Sequence, residues 1–443
     1  MTRTEPEDRA STTPWGAPWE PFVRALERRR PPLPRFRSPL RGPWLTSVLG
    51  AVLLAALPVV IVTGLLSYIA YGPQFGQAIP GDVGLLHLPW FDWPASPSWL
   101  YRLTQGLHVG LGLMLVPVVL AKLWSVAPKL FAWPPVRSPA QALERLSLLL
   151  LVGGILFEIV TGLLNIQYDY VFGFSFYAAH YVGAWVFIGG FVAHVALKLP
   201  HMWRALRSRS LGTELRTSVA DTRPEEPDPH GLVAPDPAPP TMSRRGLLAL
   251  VGGGSLLVAA LTAGQTVGGP LRGLALLLPR GRTTATADGG PNDFPVNKTF
   301  VASGIDPGAL DAWVLELTGG TVPVRLDRAA LAALPGHTAT LPIACVEGWS
   351  TVQVWTGVRL RDLAALAGVP APASAVVRSL EQGAFAQATL TSGQVRHPDA
   401  LLALAVNGAP LAPDHGYPAR VIVPALPGVH NTKWVRSIEF RSA

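Results

Sequence analysis

The chain has one cysteine, Cys345, in the run Leu341-Pro-Ile-Ala-Cys-Val-Glu-Gly-Trp-Ser350. A disulfide within the chain would need a second thiol. A thiolate is otherwise a soft ligand for a transition metal or a nucleophile, and a buried cysteine can also serve as a small hydrophobe. A second set of chemically able residues lies in apolar sequence. His108 and His180 are each followed within a few residues by glycine, Gly110 and Gly183, which leaves room for a flat macrocycle. Imidazoles inside a bilayer are costly and mark functional sites. Two that face each other across a helical bundle suit a b-type haem.

Composition says where the scaffold for this chemistry lies. Of 443 residues, 49% are apolar and 14% charged, with a mean hydropathy of +0.32, which excludes a simple soluble protein. The formal charge of +8 does not mark a nucleic-acid partner, because residues 290–443 carry 11 Lys+Arg against 11 Asp+Glu. The excess sits in the first half, beside apolar segments. Five of these have the length of a bilayer span: Leu45–Tyr71, Leu103–Ala121, Leu146–Ile166, Tyr177–Leu197 and Gly246–Gly268. Basic residues alternate between them: nine before Trp44, only Arg102 in 72–102, four in 122–145, none in 167–176 and eight in 198–245. By the positive-inside rule this is a multi-pass plasma-membrane protein with a cytoplasmic N-terminus, and everything after Gly268 lies outside.

Arg- and Pro-rich residues 1–42 read as a disordered cytoplasmic tail, and 206–242, with several Pro-Asp and Pro-Pro steps, as a disordered cytoplasmic linker. Between them, residues 43–205 form a four-helix membrane unit. The hexamer Ile61-Val-Thr-Gly-Leu-Leu66 recurs as Ile159-Val-Thr-Gly-Leu-Leu164, which predicts two helix pairs related by a pseudo-two-fold axis. His108 and His180 then lie at similar depth near the outer ends of the second and fourth helices. His194 is about four helical turns beyond His180 on the same face, the spacing that holds stacked haems, but the equivalent position on the second helix is Lys122. This breaks the two-haem pattern. Lys122 reads as a snorkelling anchor, and His194 either packs against a polar partner or finds an unusual axial partner.

The unit resembles membrane cytochrome b subunits of the b561 type, which implies haem b and electron exchange with a quinone pool. A haem-free anchor whose histidines only hydrogen-bond between helices is the alternative. Glu158 is a further ionisable group on the third helix, with no assigned role. Residues 243–269 form the fifth helix, and its start, Ser243-Arg-Arg-Gly-Leu-Leu248, resembles a twin-arginine export signal retained as an anchor. Plain positive-inside anchoring by Arg244 and Arg245 is the other reading.

From about Asp293 the pattern changes to short β-branched runs punctuated by Gly and Pro: Ala312–Leu317, Val322–Leu326, Ser374–Ser379, Arg420–Val423 and Ser437–Phe440. Two helical stretches, Asp327–Leu334 and Leu360–Ala367, interrupt them. This predicts a compact α+β domain over 290–443, following the all-α membrane bundle. The cysteine run, Asn407-Gly-Ala-Pro-Leu411, His415-Gly-Tyr-Pro-Ala-Arg420 and Asn431-Thr-Lys-Trp434 together resemble the molybdopterin-binding domain of the sulfite oxidase family. The bacterial branch with the methionine-sulfoxide reductase catalytic subunit is the nearest in pattern.

That resemblance implies molybdenum ligation by Cys345 and pterin contacts from His415, Arg420, Asn431, Thr432 and Lys433, with Asn297 and Ser379 as further contacts. Arg420 offers a planar fork to phosphate or pterin oxygens, and Lys433 a point charge. The resulting expectation is a membrane-bound molybdenum oxidoreductase acting on a small sulfoxide- or sulfite-type substrate outside the membrane. Its electrons would pass through haem b to a quinone pool. A molybdoenzyme on a haem-free anchor with a separate electron carrier, or a non-enzymatic membrane scaffold, are the alternatives.

Overall fold

The computed structural model describes residues 20–442 except 30–31, 33, 73–81, 84–85, 88–90, 136–137, 168–170, 228–230, 279–289 and 384. Most of the expected N-terminal tail therefore lies outside the described residues. A helix α1, Glu20–Arg28, precedes the apolar ones. Five helical runs are long and apolar enough to cross a membrane. They are α2 Pro43–Tyr71, the run Leu100–Leu130 formed by α3 Leu100–Met114 and α4 Val116–Leu130, α5 Pro139–Asn165, α6 Phe176–Ser208, and α8 Arg244–Val267, with a one-turn α7 Leu211–Glu214 between the last two. Pro117, which has no N–H to give, stands just past the seam between α3 and α4.

The chain divides into two compact units. The first comprises residues 1–53, 118–156 and 186–252. It contains the segment expected to be a structureless linker, and here the structure differs. Arg244, 1% exposed, bonds Glu214 Oε2 at 3.2 Å and the carbonyls of Pro39 and Arg223 at 3.2 and 3.0 Å. Glu214 also takes Arg209 at 2.7 Å, and Glu225 accepts the Trp44 backbone N–H at 2.9 Å. Proline-rich sequence cannot form a helix or strand, but it can be pinned by buried charge pairs between distant residues, each about 3–5 kcal/mol to break. Periodicity carries no sign of such pairs. Lys122 donates to the Thr46 carbonyl at 2.5 Å. His194, half-buried in α6, has no hydrogen-bond partner among the described residues.

The second unit comprises residues 54–117, 157–185 and 253–443. After a two-residue antiparallel pair, β1 Asp82–Val83 with β2 Leu86–His87, its strands belong to two five-stranded sheets. One has the order β4 Val324–Asp327, β3 Val314–Thr318, β12 Val435–Arg441, β7 Ser374–Ser379, β8 Gln387–Thr391, antiparallel except for β3 with β12. The other has the order β10 Ala409–Pro410, β9 Leu401–Val406, β6 Ser350–Arg359, β5 Gly336–Ala344, with β11 Arg420–Ile422 also on β9. This is the α+β architecture expected, with short helices Arg328–Ala332 and Leu360–Leu366 where helical stretches were predicted. Leu315, Leu317, Val377, Leu390, Ile438 and Phe440 fill a core that continues through Ala344 to Tyr68, Tyr71 and Tyr101 of α2 and α3.

The longest strands, β5 and β6, were not anticipated. Pro342 interrupts the alternation of Ala339, Leu341 and Ile343, and is tolerated because β5 lies at a sheet edge.

Candidate functional site

Cys345 occupies the turn of the β5–β6 hairpin. The two strands pair in register from Gly336↔Val358 to Ala344↔Ser350, leaving Cys345–Trp349 to reverse the chain. The turn is closed by Cys345 N–H to the Trp349 carbonyl at 2.9 Å and Gly348 N–H to the Cys345 carbonyl at 3.0 Å. Gly348 has φ of +90°, and a Cβ there would lie 2.8 Å from the Val109 Cβ, so both backbone and space demand glycine. The thiol is buried. Behind the hairpin, the Ala344 carbonyl accepts the Gly428 N–H at 2.8 Å, which draws the 425–432 segment alongside.

That segment brings in the cations. Arg420 begins β11, with Nε donating to the Asn431 carbonyl at 3.0 Å and Nη1 to the His415 carbonyl at 3.3 Å. Lys433 donates to the carbonyls of Lys298 and Asp414 at 2.5 and 3.0 Å. Among the described residues neither cation has a carboxylate within 4 Å; Arg420 is buried and Lys433 half-buried. Burial pushes the Arg420 guanidinium down to about 9, opposed by the nearby Cys345. Lys433 is held well below its usual range by burial and then by Arg420.

His415 stacks on Phe294 with ring centroids 3.6 Å apart and donates from Nε2 to the Asn292 carbonyl at 2.8 Å. Burial and the neighbouring Arg420 push it down to about 3, so it is neutral. Asn431 accepts the Val423 N–H through Oδ1 at 2.8 Å, while its Nδ2 is buried with no partner. Thr432 is buried beside it.

Two cations, one buried and one half-buried, and an orphaned amide N–H, converging on a soft ligand, form a site with more donors than acceptors. An unpaired buried charge costs several kcal/mol, and an anion with several oxygens would relieve it. A phosphate-bearing pterin with a thiophilic metal matches both needs, so the residues present fit that group. Among the described residues no cluster of three His, Cys, Asp or Glu could cage a metal without such a cofactor.

Two expected contacts sit differently. Asn297 is exposed, its Oδ1 accepting the Lys298 N–H at 2.9 Å. The Ser379 hydroxyl donates to the Lys433 carbonyl at 2.8 Å and accepts the Glu381 N–H at 3.0 Å, so it fixes the segment leading into β12 that carries Lys433. Lys298, Asp414 and Asn292 join the site through backbone carbonyls, a role that side-chain type cannot signal. His430, which donates to the Tyr71 carbonyl at 2.8 Å, stood one residue before a recognised run and was missed.

The helices of this unit meet the same turn. Gln105 Nε2 donates to the Val346 carbonyl at 2.5 Å, Gln265 Nε2 to the Glu347 carbonyl at 3.3 Å, and Thr266 Oγ1 to the Gly348 carbonyl at 2.7 Å. Ser350 Oγ returns a bond to the Thr266 carbonyl at 2.7 Å. Further along α3, His108 faces His180 of α6, with ring centroids 6.3 Å apart and planes at 88°. His108 Nδ1 donates to the Val60 carbonyl at 2.9 Å. His180 Nδ1 lies 3.0 Å from Glu158 Oε2 and 2.9 Å from Thr161 Oγ1. The repeated hexamer supplies the matching glycines: a Cβ on Gly64 would lie 2.8 Å from His108, and one on Gly162 3.9 Å from His180.

Residues 303–443 match the oxidoreductase molybdopterin-binding domain family. The oxidoreductase YuiH of Bacillus subtilis is 38% identical over 119 residues, covering 27% of this chain and 59% of that protein. The sulfite oxidase of Arabidopsis thaliana is 36% identical over 164 residues, covering 29% and 42%. The sulfane dehydrogenase SoxCD of Paracoccus pantotrophus aligns in structure at 25% identity and a TM-score of 0.29, covering 31% of this chain and 40% of that one. The chain thus spans less than two thirds of the length of each of these relatives. The likeness to molybdopterin-binding domains lies in the C-terminal part of the chain, over residues 303–443.

Proposed function

We propose that the chain is a membrane-bound, molybdopterin-dependent oxidoreductase that performs oxygen-atom or two-electron chemistry on a small sulfoxide- or sulfite-type substrate. The observation that carries this reading is the meeting of the one thiol with two cations, Arg420 buried and Lys433 half-buried, that have no direct ion pair among the described residues. Cys345 would hold the metal, while Arg420, Lys433 and the Asn431 amide would hold the anionic part of the cofactor. His415, neutral and fixed by the Asn292 carbonyl, would order the loop beneath it. When bound, the cofactor supplies a metal that accepts or donates two electrons at the substrate. Burial of the thiol keeps water from the sulfur, and Ser379 keeps the Lys433 segment in place.

The histidine pair supports a second cofactor in this proposal, a haem b that exchanges electrons with a quinone pool. His108 and His180, with ring centroids 6.3 Å apart, are the residues that would hold the haem iron. Each Nδ1 has a hydrogen-bond partner, as metal-binding histidines commonly do, which would leave each Nε2 to hold iron. Tyr181, next to His180, and Trp185, about one turn beyond it, have buried polar atoms without partners, suited to a ligand carrying carboxylates. His194 has no comparable facing imidazole, so one haem is proposed.

In the same proposal the domain after α8 lies outside the plasma membrane. Arg244 and Arg245 then mark the cytoplasmic end of α8, with export by a twin-arginine route compatible with loading the cofactor before translocation. Metal analysis and a visible spectrum of the purified protein test the reading. Molybdenum and a low-spin haem band are expected; a protein with no molybdenum refutes the enzyme, and one with no haem refutes the electron route.

A further inference from the structure

One face of α3 carries Tyr101, Gln105 and His108, spaced by four and three residues and therefore stacked along one side of the helix. Tyr101 hydrogen-bonds Ser67 at 3.4 Å and is 1% exposed. Gln105 is buried and its amide donates to the carbonyl of Val346, the residue after Cys345, at 2.5 Å. Its Oε1 is buried with no partner, an arrangement costing about 1–3 kcal/mol that a purely structural contact would have no reason to keep. From Gln105 to His108 is one helical turn, a rise of about 4.5 Å. The turn bearing Cys345 also packs against Val109, which is why a Cβ on Gly348 would clash. The residue after Cys345 is therefore bonded to a side chain one helical turn from His108.

We propose that Gln105 is the positioning residue that couples the two centres. Its amide seats the Cys345 turn on the helix turn carrying His108, so that single electrons pass between the sulfur-bound metal and the haem through α3, with no separate carrier. The inference rests on the haem reading above. Each transfer oxidises the molybdenum centre by one electron and reduces ferric haem to ferrous. Two transfers restore the centre after a two-electron oxidation of substrate, and a quinone takes up the two electrons and two protons to become quinol. In the reductive direction the same electrons run from quinol to substrate. The contacts from α8 to the same turn, Gln265 and Thr266, steady it but lie on a helix with no histidine.

The test compares Gln105→Met, which keeps length and volume without a donor, with Thr266→Val, which removes a bond to the same turn from α8. In the holoprotein, haem is reduced by a flash-generated flavin semiquinone, and the decay of the reduced α-band is followed as the electron moves on to molybdenum. Gln105→Met should slow that decay by about tenfold, the low end for loss of an outer-shell partner. Thr266→Val should leave it near wild type, with molybdenum content and haem spectrum unchanged in both. An unchanged decay in Gln105→Met overturns the proposal. Equal slowing in both variants also overturns it, since the residue would then only hold the turn. A wild-type protein with no haem band overturns the haem reading itself, and this coupling with it.

Discussion

The Cys345 site and the histidine pair are both buried, yet each lacks something different. Around Cys345 the shortfall is of charge: Arg420 and Lys433 donate to carbonyls and lie over the Trp355 and Trp434 rings without an ion pair among the described residues, and Asn431 leaves an N–H unmet. At His108 and His180 each Nδ1 is engaged, by the Val60 carbonyl and by Thr161 and Glu158, so what is left unmet is coordination at the other ring nitrogens. The difference teaches what each would bind. On the proposed reading the first environment would suit a polyanion with a soft metal, and the second an iron in a flat macrocycle. It also separates their failure modes, because substituting one site should leave the chemistry of the other intact.

The sharpest break of that comparison is at the imidazoles. His108→Ala or His180→Ala should remove the haem band entirely while dye-linked turnover at the molybdenum centre persists; loss of both together would mean the two regions are not separable. At the cation side, Lys433→Met should lower cofactor retention by about 10–100-fold, as for an outer-shell partner, yet leave the haem band unchanged. The cofactor-free variant should be no less stable than the cofactor-free parent, because a half-buried charge without an ion pair is gone. Calorimetry with cofactor assay reads both arms.

Smaller effects probe the turn and the titrating groups. Gly348→Ala should destabilise the second unit by about 1–3 kcal/mol, from the positive φ and from the approach to Val109, measured by thermal unfolding. The pH effect has a definite sign. His415 is pushed down to about 3 and His430 to about 4, in each case mainly by burial, below the unfolded value of 6.5. The folded protein therefore binds fewer protons than the unfolded chain, and stability is fully present above about pH 6.5 and lost as pH falls toward 4. Denaturant midpoints of cofactor-free protein at pH 7.5 and 4.5 check this, and Phe294, stacked on His415, reports through its ring environment.

Much of the site was legible in the sequence where side-chain type does the work. Cys345, Arg420 and Lys433 are recognisable because a soft ligand and cations near a glycine-containing loop have few bland roles in combination. The two imidazoles were legible from their apolar surroundings and the repeated hexamer, whose glycines prove to face them. What stayed hidden depends on geometry that sequence does not encode locally. Ser379 holds the Lys433 segment from within, Asn297 lies at an exposed rim, and Gln105 acts only because α3 passes beneath a turn 241 residues further along the chain. The β5–β6 hairpin was masked by Pro342, and the order of 206–227 by composition that resembles a linker. There the buried Arg244–Glu214 pair supplies what periodicity could not.

The central claim is that Cys345 is the protein ligand of molybdenum, and molybdenum X-ray absorption of the purified holoprotein beside its Cys345→Ser variant tests it most directly. The expected result is the loss of one sulfur neighbour in the variant, with the cofactor still bound through Arg420 and Lys433 and turnover below about 1% of wild type, beyond the range for an outer-shell change. Identical sulfur coordination in the two proteins, or full activity of the serine variant, would contradict it.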